Sequence, residues 1–349
     1  MRTCSSRRGE GLTSALRAFS FLVVFIYAWC LLGSCPEVMG THNTRSGKPA
    51  RIRRRCLNVV SQNLLGIKPT SSNERLEELL VNLKKQNVYA FLGQETWRAE
   101  REILHHETGM VIVADGPQTQ TGRGSKGVAI ILSAQAVLGW EKAGKAVYGG
   151  YGGRVLGLRT VVVDKKKKER GIFLISAYAP VGVAPQAEWD QFFDNLEDCI
   201  AKKLKSDILL VGADINSSMG SLREQDADVR KNSPIGSFGL NHCNASGERF
   251  RTYLATNNMM AVSTFFQKKH YRTWVHPCSG KGHQLDHILT QREHFPLFTD
   301  CGRCGQLVGS DHMAVSCKLR LDSNFKRKIT SREKMIRKDF SALTGRHSL

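Results

Sequence analysis

The chain has 349 residues, 41% of them hydrophobic, and 10 scattered cysteines. That is enough apolar material for one large domain or two small ones, and the cysteines do not form the framework of a disulfide-stapled miniature, so most are read as reduced thiols. The formal net charge of +20 favours a polyanionic partner, nucleic acid first and an acidic membrane surface second. About +8 of it precedes Cys56 and about +5 follows Arg320, leaving about +7 between them, so much of the basicity serves attachment rather than substrate choice.

In chain order, Arg2, Arg7, Arg8 and Arg17 precede an apolar run from Ala18 to Cys35. Basic residues followed by hydrophobic ones are the layout of a signal peptide or short membrane anchor, and a mispredicted start would look the same. Membrane association through residues 18–35 is therefore one expectation. Two glycosylation sequons, Asn216-Ser217-Ser218 and Asn244-Ala245-Ser246, bear on it. Glycosylation of the first would disable a site that uses Asn216, which counts against secretion. Residues 36–55 read as a polar linker ending in the basic cluster Arg51-Ile52-Arg53-Arg54-Arg55.

From Cys56 the pattern alternates between strands and helices. Leu57 to Gln62 reads as a strand ending at Asn63. Ser71 and Glu74 have capping-box spacing ahead of Leu76, Leu79, Leu80 and Leu83, the stripe of an amphipathic helix. Val88 to Leu92 is the next strand, with Gln94-Glu95 at its end. Gly122, Gly124 and Gly127 make a formal GxGxxG, but they precede the strand Val128 to Leu132, whereas a dinucleotide fingerprint follows a strand and opens a helix. A loop is the reading there. Val155 to Val163 and Ile172 to Ala177 are read as paired strands joined by a lysine-rich solvated turn, residues 164–170.

Pro185 suits the first turn of a helix carrying Trp189, Phe192, Phe193, Leu196 and Ile200. Asp207 to Val211 is a buried-type strand that delivers Asp214 and Asn216. A helix over Gly247 to Asn257 follows, then strands near Met260 to Thr264, Arg272 to His276 and Gln284 to Thr290. Cys301-Gly302-Arg303-Cys304 lacks a second ligand pair and is read as a loop with two free thiols rather than a zinc site. The last strand is expected from Asp311 to Leu319, and the basic residues 321–349 as a flexible or separately helical tail.

A polar residue recurs where an apolar strand stops: Asn63, Glu95, Tyr178, Asp214 with Asn216, Asp286, and Asp311 with His312. Any one of these has a bland reading, His312 as a satisfied core histidine and Asp311 as a surface acid. If the strand ends converge, the set supplies hard oxygen ligands for Mg²⁺ or Mn²⁺, amide and phenol donors for a phosphate, and an imidazole. Those are the parts of a phosphodiester-cleaving site.

Six ordered motifs carry a resemblance: Ser61-Gln62-Asn63-Leu64-Leu65, Gly93-Gln94-Glu95-Thr96, Ser176-Ala177-Tyr178-Ala179-Pro180, Ala213-Asp214-Ile215-Asn216, Gln284-Leu285-Asp286-His287-Ile288-Leu289 and Ser310-Asp311-His312. Over residues 56–320 the chain resembles the endonuclease/exonuclease/phosphatase superfamily. Within it, the stretch from Asn244 to Arg249, then Thr264-Phe265-Phe266 and Thr273-Trp274, is most similar to the apurinic/apyrimidinic-endonuclease-like domains of non-LTR retrotransposons.

The resemblance implies an α/β fold, a four-layer α/β/β/α sandwich of two mixed sheets. It implies that Glu95, helped by Asn63 and Asp311, binds the divalent metal, and that Asp214 orients or deprotonates the attacking water. Asn216 and Tyr178 would hold phosphate oxygens, and His312, oriented by Asp286, would stabilise the charge developing on the scissile phosphate. Two departures stand out: Ala213 replaces the usual glycine, and Leu65 stands where several family nucleases carry Asp or Asn, which weakens a case for efficient abasic-site cleavage.

The expected organisation is a basic and hydrophobic segment over 1–35, a linker over 36–55, a catalytic domain over 56–320 and a tail over 321–349. The expected function is metal-dependent nicking of DNA by a monomer, with nuclear location favoured by that function. A phosphoinositide or other lipid phosphatase of the same fold is the alternative. The motif around the late aspartate, Gln284-Leu285-Asp286-His287-Ile288-Leu289, departs from the Trp-Cys-Asp-Arg-Ile-Leu of the inositol-phosphatase members. A catalytically inactive, domesticated nucleic-acid-binding protein is the third reading.

Overall fold

The computed structural model describes residues 56–69, 73–118, 124–149, 151–163, 168–222 and 233–321. The hydrophobic run 18–35, the linker, Ser71, Gly122, most of the lysine turn and nearly all of the basic tail lie outside them. Among the described residues no helix is long and apolar enough to cross a membrane.

The chain begins with β1 (Leu57–Asn63), α1 (Glu74–Lys85), β2 (Ala90–Gln94), β3 (Glu102–His105), β4 (Val111–Asp115), β5 (Val128–Leu132), α2 (Ala134–Lys142), β6 (Val147–Gly149), β7 (Val155–Val163) and β8 (Glu169–Tyr178). It continues with α3 (Gln186–Ala201), β9 (Ile208–Asp214), α4 (Ala245–Thr256), β10 (Met259–Ala261), the short hairpin β11 (Trp274–Val275) and β12 (Gly282–His283), β13 (Asp286–Gln291), β14 (Phe298–Arg303) and β15 (Val315–Leu319).

One sheet has the order β14-β15-β1-β2-β5-β4-β3 and the other β10-β13-β9-β8-β7-β6. The pairs β1/β2 and β8/β9 are parallel and the remaining pairs antiparallel, so both sheets are mixed.

Alternation along each strand sends one face to the partner sheet and the other to a helix. In β1, Val59 enters the core between the sheets while Val60 packs outward with Leu76, Leu79, Leu80 and Leu83 of α1. On the far side, Trp189, Phe192 and Leu196 of α3 and Phe250 and Leu254 of α4 cover Phe173 and Ile175 of β8 and Leu209 and Val211 of β9. The result is the expected four-layer α/β/β/α sandwich. The two sheets approach closely at Gly212, where a Cβ would stand 2.6 Å from Ser61 Oγ and 2.7 Å from Leu92 Cβ. Across that seam the buried Gln94 amide donates to Ser176 Oγ and the Gly212 carbonyl.

Several boundaries differ from the sequence expectation. Helix α1 starts at Glu74 behind Asn73, whose backbone is left-handed and whose side chain makes no cap bond; Ser71, the expected capping residue, lies outside the described residues. The strand placed at Val88 to Leu92 runs from Ala90 to Gln94, because Val88 N–H is still held by Leu83 O at the end of the helix. The region Met260 to Thr264 is strand only to Ala261 and then turns into a 3₁₀ helix.

The loop expected around Cys301 is instead β14, an edge strand whose Cys301 pairs in register with Cys317 and is fully buried. The last strand begins at Val315 rather than Asp311, which leaves the Asp-His pair on the loop ahead of it. Strands β3, β4, β6 and β12 and helix α2 carried no sequence assignment.

Candidate active site

Register brings the polar strand ends to one edge. In the first sheet Asn63 pairs with Gln94, which presents Glu95 in the next position. In the second, Tyr178 pairs with Asp214 across the parallel strands β8 and β9, and Asp286, the first residue of antiparallel β13, pairs with Asp214 from the other side. The chain turns sharply just past these ends: Leu65, Glu95 and Asn216 have φ of 49°, 49° and 48°.

The two sheets are joined there through Asn63. Its Nδ2 donates to Glu95 Oε1 at 2.8 Å and to Asp214 Oδ2 at 2.9 Å, so one amide bridges two carboxylates from opposite sheets. Tyr178 OH also donates to Glu95 Oε1, at 2.8 Å, and Trp97 Nε1 donates to Oε2 at 3.3 Å. Asn216 N–H donates to Asp214 Oδ1, and its side-chain Nδ2 to Ala179 O, each at 2.9 Å.

His312 completes the edge. Its Nδ1 lies 2.9 Å from Asp286 Oδ2, and ligating atoms of Asp214, Asp286 and His312 all fall within 4.8 Å of one another, the three side chains being buried. Among the described residues this is the one cluster of three metal-ligating side chains of that compactness. Glu95 stands outside it and joins through Asn63. Asp311 is exposed, and its Oδ2 accepts from Trp274 Nε1 at 2.9 Å.

The electrostatics follow from burial and crowding. Burial, and then the charge of Asp286, raise Asp214 to about 7. Burial alone would lower His312, but the charge and hydrogen bond of Asp286, with Asp214 and Asp311 behind them, push it up to about 10. The ring is therefore an imidazolium at neutral pH, with Nδ1–H donating to Asp286 and Nε2–H left for another acceptor. Tyr178 is raised far above the ordinary phenol range by burial and then by Glu95 and Asp214, so it stays a hydroxyl donor. The second oxygen of Asp286, Oδ1, is buried with no hydrogen-bond partner.

Several supporting residues had no role in the sequence reading. Gln62 Nε2 donates to Val308 O and His312 O, and its Oε1 accepts from Leu307 N–H, which ties the loop carrying His312 to β1. Ser310 Oγ donates to Asn63 O and accepts from His312 N–H. Thr273 Oγ1 accepts from the N–H groups of Leu285 and Asp286, while Thr273 O accepts from Met313 N–H. Their signal was adjacency: Gln62 and Ser310 abut site residues, and Thr273 precedes Trp274 in the similar stretch.

No family model matches the chain. Craniofacial development protein 2 of Bos taurus is 28% identical over 166 residues, 47% of this chain and 27% of that protein. The same protein of Tragulus javanicus is 28% identical over an equal length, 28% of its own. The match thus spans about a quarter of the length of these curated relatives.

Among solved structures, the catalytic domain of Xenopus laevis APE2 matches with a TM-score of 0.53 at 16% identity, covering 77% of this chain and 94% of that one. The Neisseria 3′ phosphatase NExo, bound to a product DNA hairpin, matches with 0.52 at 16%, covering 75% and 99%. The AP endonuclease LMAP of Leishmania major matches with 0.52 at 14%, covering 77% and 89%. At such identities the likeness is one of architecture, and it agrees with the two mixed sheets: the chain has the fold of the endonuclease/exonuclease/phosphatase, or DNase I-like, superfamily.

Proposed function

We propose that this chain is a divalent-metal-dependent phosphodiester hydrolase that nicks DNA, of the retroelement endonuclease type. The observation that carries the reading is the buried group Asp214, Asp286 and His312 within 4.8 Å, joined through Asn63 to Glu95. It combines a base, a charged donor and hard oxygen ligands at one sheet edge.

The residues fit a hard cation. Asp214 is raised to about 7 by burial and by Asp286, which marks an excess of buried negative charge that a divalent ion relieves. The donors are carboxylate and amide oxygens, as Mg²⁺ or Mn²⁺ prefer. Glu95 and Asn63 would hold the ion, with Asp311 as an auxiliary through the oxygen it does not give to Trp274. When bound, the ion supplies Lewis-acid stabilisation of a phosphoryl oxygen.

The protein's own steps follow from the geometry. Asp214, held on one oxygen by Asn63 and on the other by Asn216 N–H, orients the attacking water and takes its proton. His312 donates through Nε2 to a non-bridging oxygen of the scissile phosphate, and its charge, maintained by Asp286, offsets the charge that builds up during in-line attack. The Asn216 amide, which donates to Ala179 O and also bonds the Tyr178 side chain, would offer an N–H to a phosphate oxygen once substrate displaces the contact to the phenol. Tyr178 fixes Glu95 through its hydroxyl and would donate that same hydroxyl to a phosphate oxygen when substrate enters the site.

The test is nicking of supercoiled plasmid by the full chain in Mg²⁺ and in EDTA, beside Asp214→Ala and His312→Ala, with a phosphoinositide as a parallel substrate. Metal-dependent nicking lost in both variants is the expected result. Nicking that persists in both removes the proposed site, phosphate release from the lipid favours the lipid phosphatase, and DNA binding with no hydrolysis by the parent favours the domesticated binder.

A further inference from the structure

A second feature lies outside the catalytic group. A cavity of about 400 Å³ is lined by Lys268, Lys269, His270, Arg303, Cys304 and Gly305. Three of these six are permanent cations and none is acidic. Lys268 is paired with Asp300, but among the described residues no carboxylate pairs with Lys269 or Arg303. The wall is shaped for this arrangement: Gly302 lies under the Lys268 stem, and a Cβ there would stand 2.6 Å from both Lys268 Cγ and Cε. The backbone N–H of Lys268 is held by Tyr271 OH at 3.4 Å.

Both walls connect to the catalytic edge by a few residues. The segment 268–270 runs into Thr273, which binds the Asp286 backbone through its hydroxyl and the Met313 backbone through its carbonyl. The segment 303–305 is held at Cys304 N–H by Ala314 O, two residues past His312. The cavity thus sits beside the strand ends that carry the reacting groups, at the edge of the first sheet where β14 pairs with β15.

We propose that this cavity is a second phosphate site, which takes a backbone phosphate of the nucleic-acid strand flanking the cleavage point, with Lys269 and Arg303 as its ligands. The inference rests on the nuclease reading for its substrate, and deepens it by fixing where the strand runs. Unpaired cations in a concave wall next to a phosphodiester-cleaving edge match a polyanion in charge and in position. The guanidinium of Arg303 offers fixed paired donors, and Lys269 a mobile point charge.

The test uses the full chain with Lys269→Gln and Arg303→Gln together, and Lys202→Gln with Lys205→Gln as a control. The control lysines are exposed at the opposite end of β9 from Asp214. Binding to a DNA duplex is measured by anisotropy in EDTA over a range of salt, and nicking in Mg²⁺ separately. Two phosphate contacts predict that the slope of log affinity against log salt falls by about 2 in the pocket variant, with affinity down roughly tenfold or more near 0.1 M salt. The control should leave the slope unchanged. Hydrolysis of a small phosphodiester without flanking nucleotides should be equal in parent and pocket variant.

An unchanged slope in the pocket variant, or an equal fall in the control, overturns the phosphate site whatever the nicking result. A parent that binds DNA through the pocket but does not nick leaves the site standing and removes the nuclease reading. A parent that does not bind DNA removes both.

Discussion

Asp286 opens β13 directly opposite Asp214, the last residue of β9, so two buried carboxylates face each other across one antiparallel register, and His312 Nδ1 sits 2.9 Å from Asp286. The relationship divides the labour. Asp286 is neutralised by the imidazolium, and Asp214 carries the unrelieved charge.

Removing Asp286 therefore acts through His312. In Asp286→Asn the buried imidazole loses the main partner that pushes it up to about 10, which leaves only Asp214 and Asp311 to oppose the desolvation that lowers it. The protonated ring is active, so the alkaline limb of kcat moves from about 10 down toward neutrality, which lowers kcat at pH 8 by about tenfold. A pH profile of plasmid nicking with parent and variant reads both effects; a variant whose alkaline limb stays in place removes His312 from the charged role.

The crowding at Asp214 predicts a metal-linked stability. Its carboxyl is raised to about 7, so without metal the folded state is penalised as pH rises from the ordinary carboxylate range through 7. In EDTA at pH 8, Asp214→Asn should melt higher than the parent, by about 2–4 °C for each kcal/mol recovered. Added Mg²⁺ should raise the parent's Tm more than the variant's. Thermal denaturation followed by circular dichroism, with and without the ion, is the measurement.

His287 predicts an acid sensitivity of the opposite sign. It is fully buried and lowered to about 4 by burial, with Nε2 3.3 Å from Gln284 O and Nδ1 3.0 Å from Ser263 Oγ. The carbonyl can only accept, so the neutral ring carries its proton on Nε2 and accepts from the serine. A folded value below the unfolded one means stability is complete above about 6.5 and is lost as pH falls through about 4, on the order of 3 kcal/mol in all. Urea unfolding at pH 7 and pH 4.5 should show a smaller drop in His287→Gln than in the parent.

Leu65 holds a left-handed backbone at φ 49° with its N–H donating to Asn63 Oδ1. A leucine there costs roughly 1–2 kcal/mol that Asn or Gly avoids. Leu65→Asn should raise the urea midpoint by an amount corresponding to about 1 kcal/mol, and should lower the Mg²⁺ concentration for half-maximal nicking by adding an oxygen beside the metal residues. A variant that is less stable than the parent would show that the half-buried leucine contributes more by packing than its backbone costs.

Gly212 marks where the sheets touch. A methyl group at 2.6 Å from Ser61 Oγ and 2.7 Å from Leu92 Cβ cannot be accommodated without parting the layers. Gly212→Ala should destabilise by about 1–3 kcal/mol and weaken nicking, because Asn63 and Asp214 come from the two sheets that it separates.

The parts of this protein set by local chemistry were readable from sequence. The leucine stripe of α1, the aromatic face of α3, the apolar run of β9 and the polar residue ending each central strand all express a period of 2 or 3.6 or a change from apolar to polar. The six ordered motifs then carried the fold class and all eight candidate residues. What depended on pairing between distant segments was not readable. Cys301 looked like part of a loop because edge strand β14 has a mixed pattern, and only pairing with β15 makes it a strand. The bond from Trp274 Nε1 to one oxygen of Asp311 joins residues 37 apart and exists because the β11/β12 hairpin lies against the loop that carries His312. The placement of Asn63 between Glu95 and Asp214, 32 and 151 residues away, was decided by sheet register and the close approach at Gly212, which are properties of the assembled layers and leave no periodic trace in any one segment.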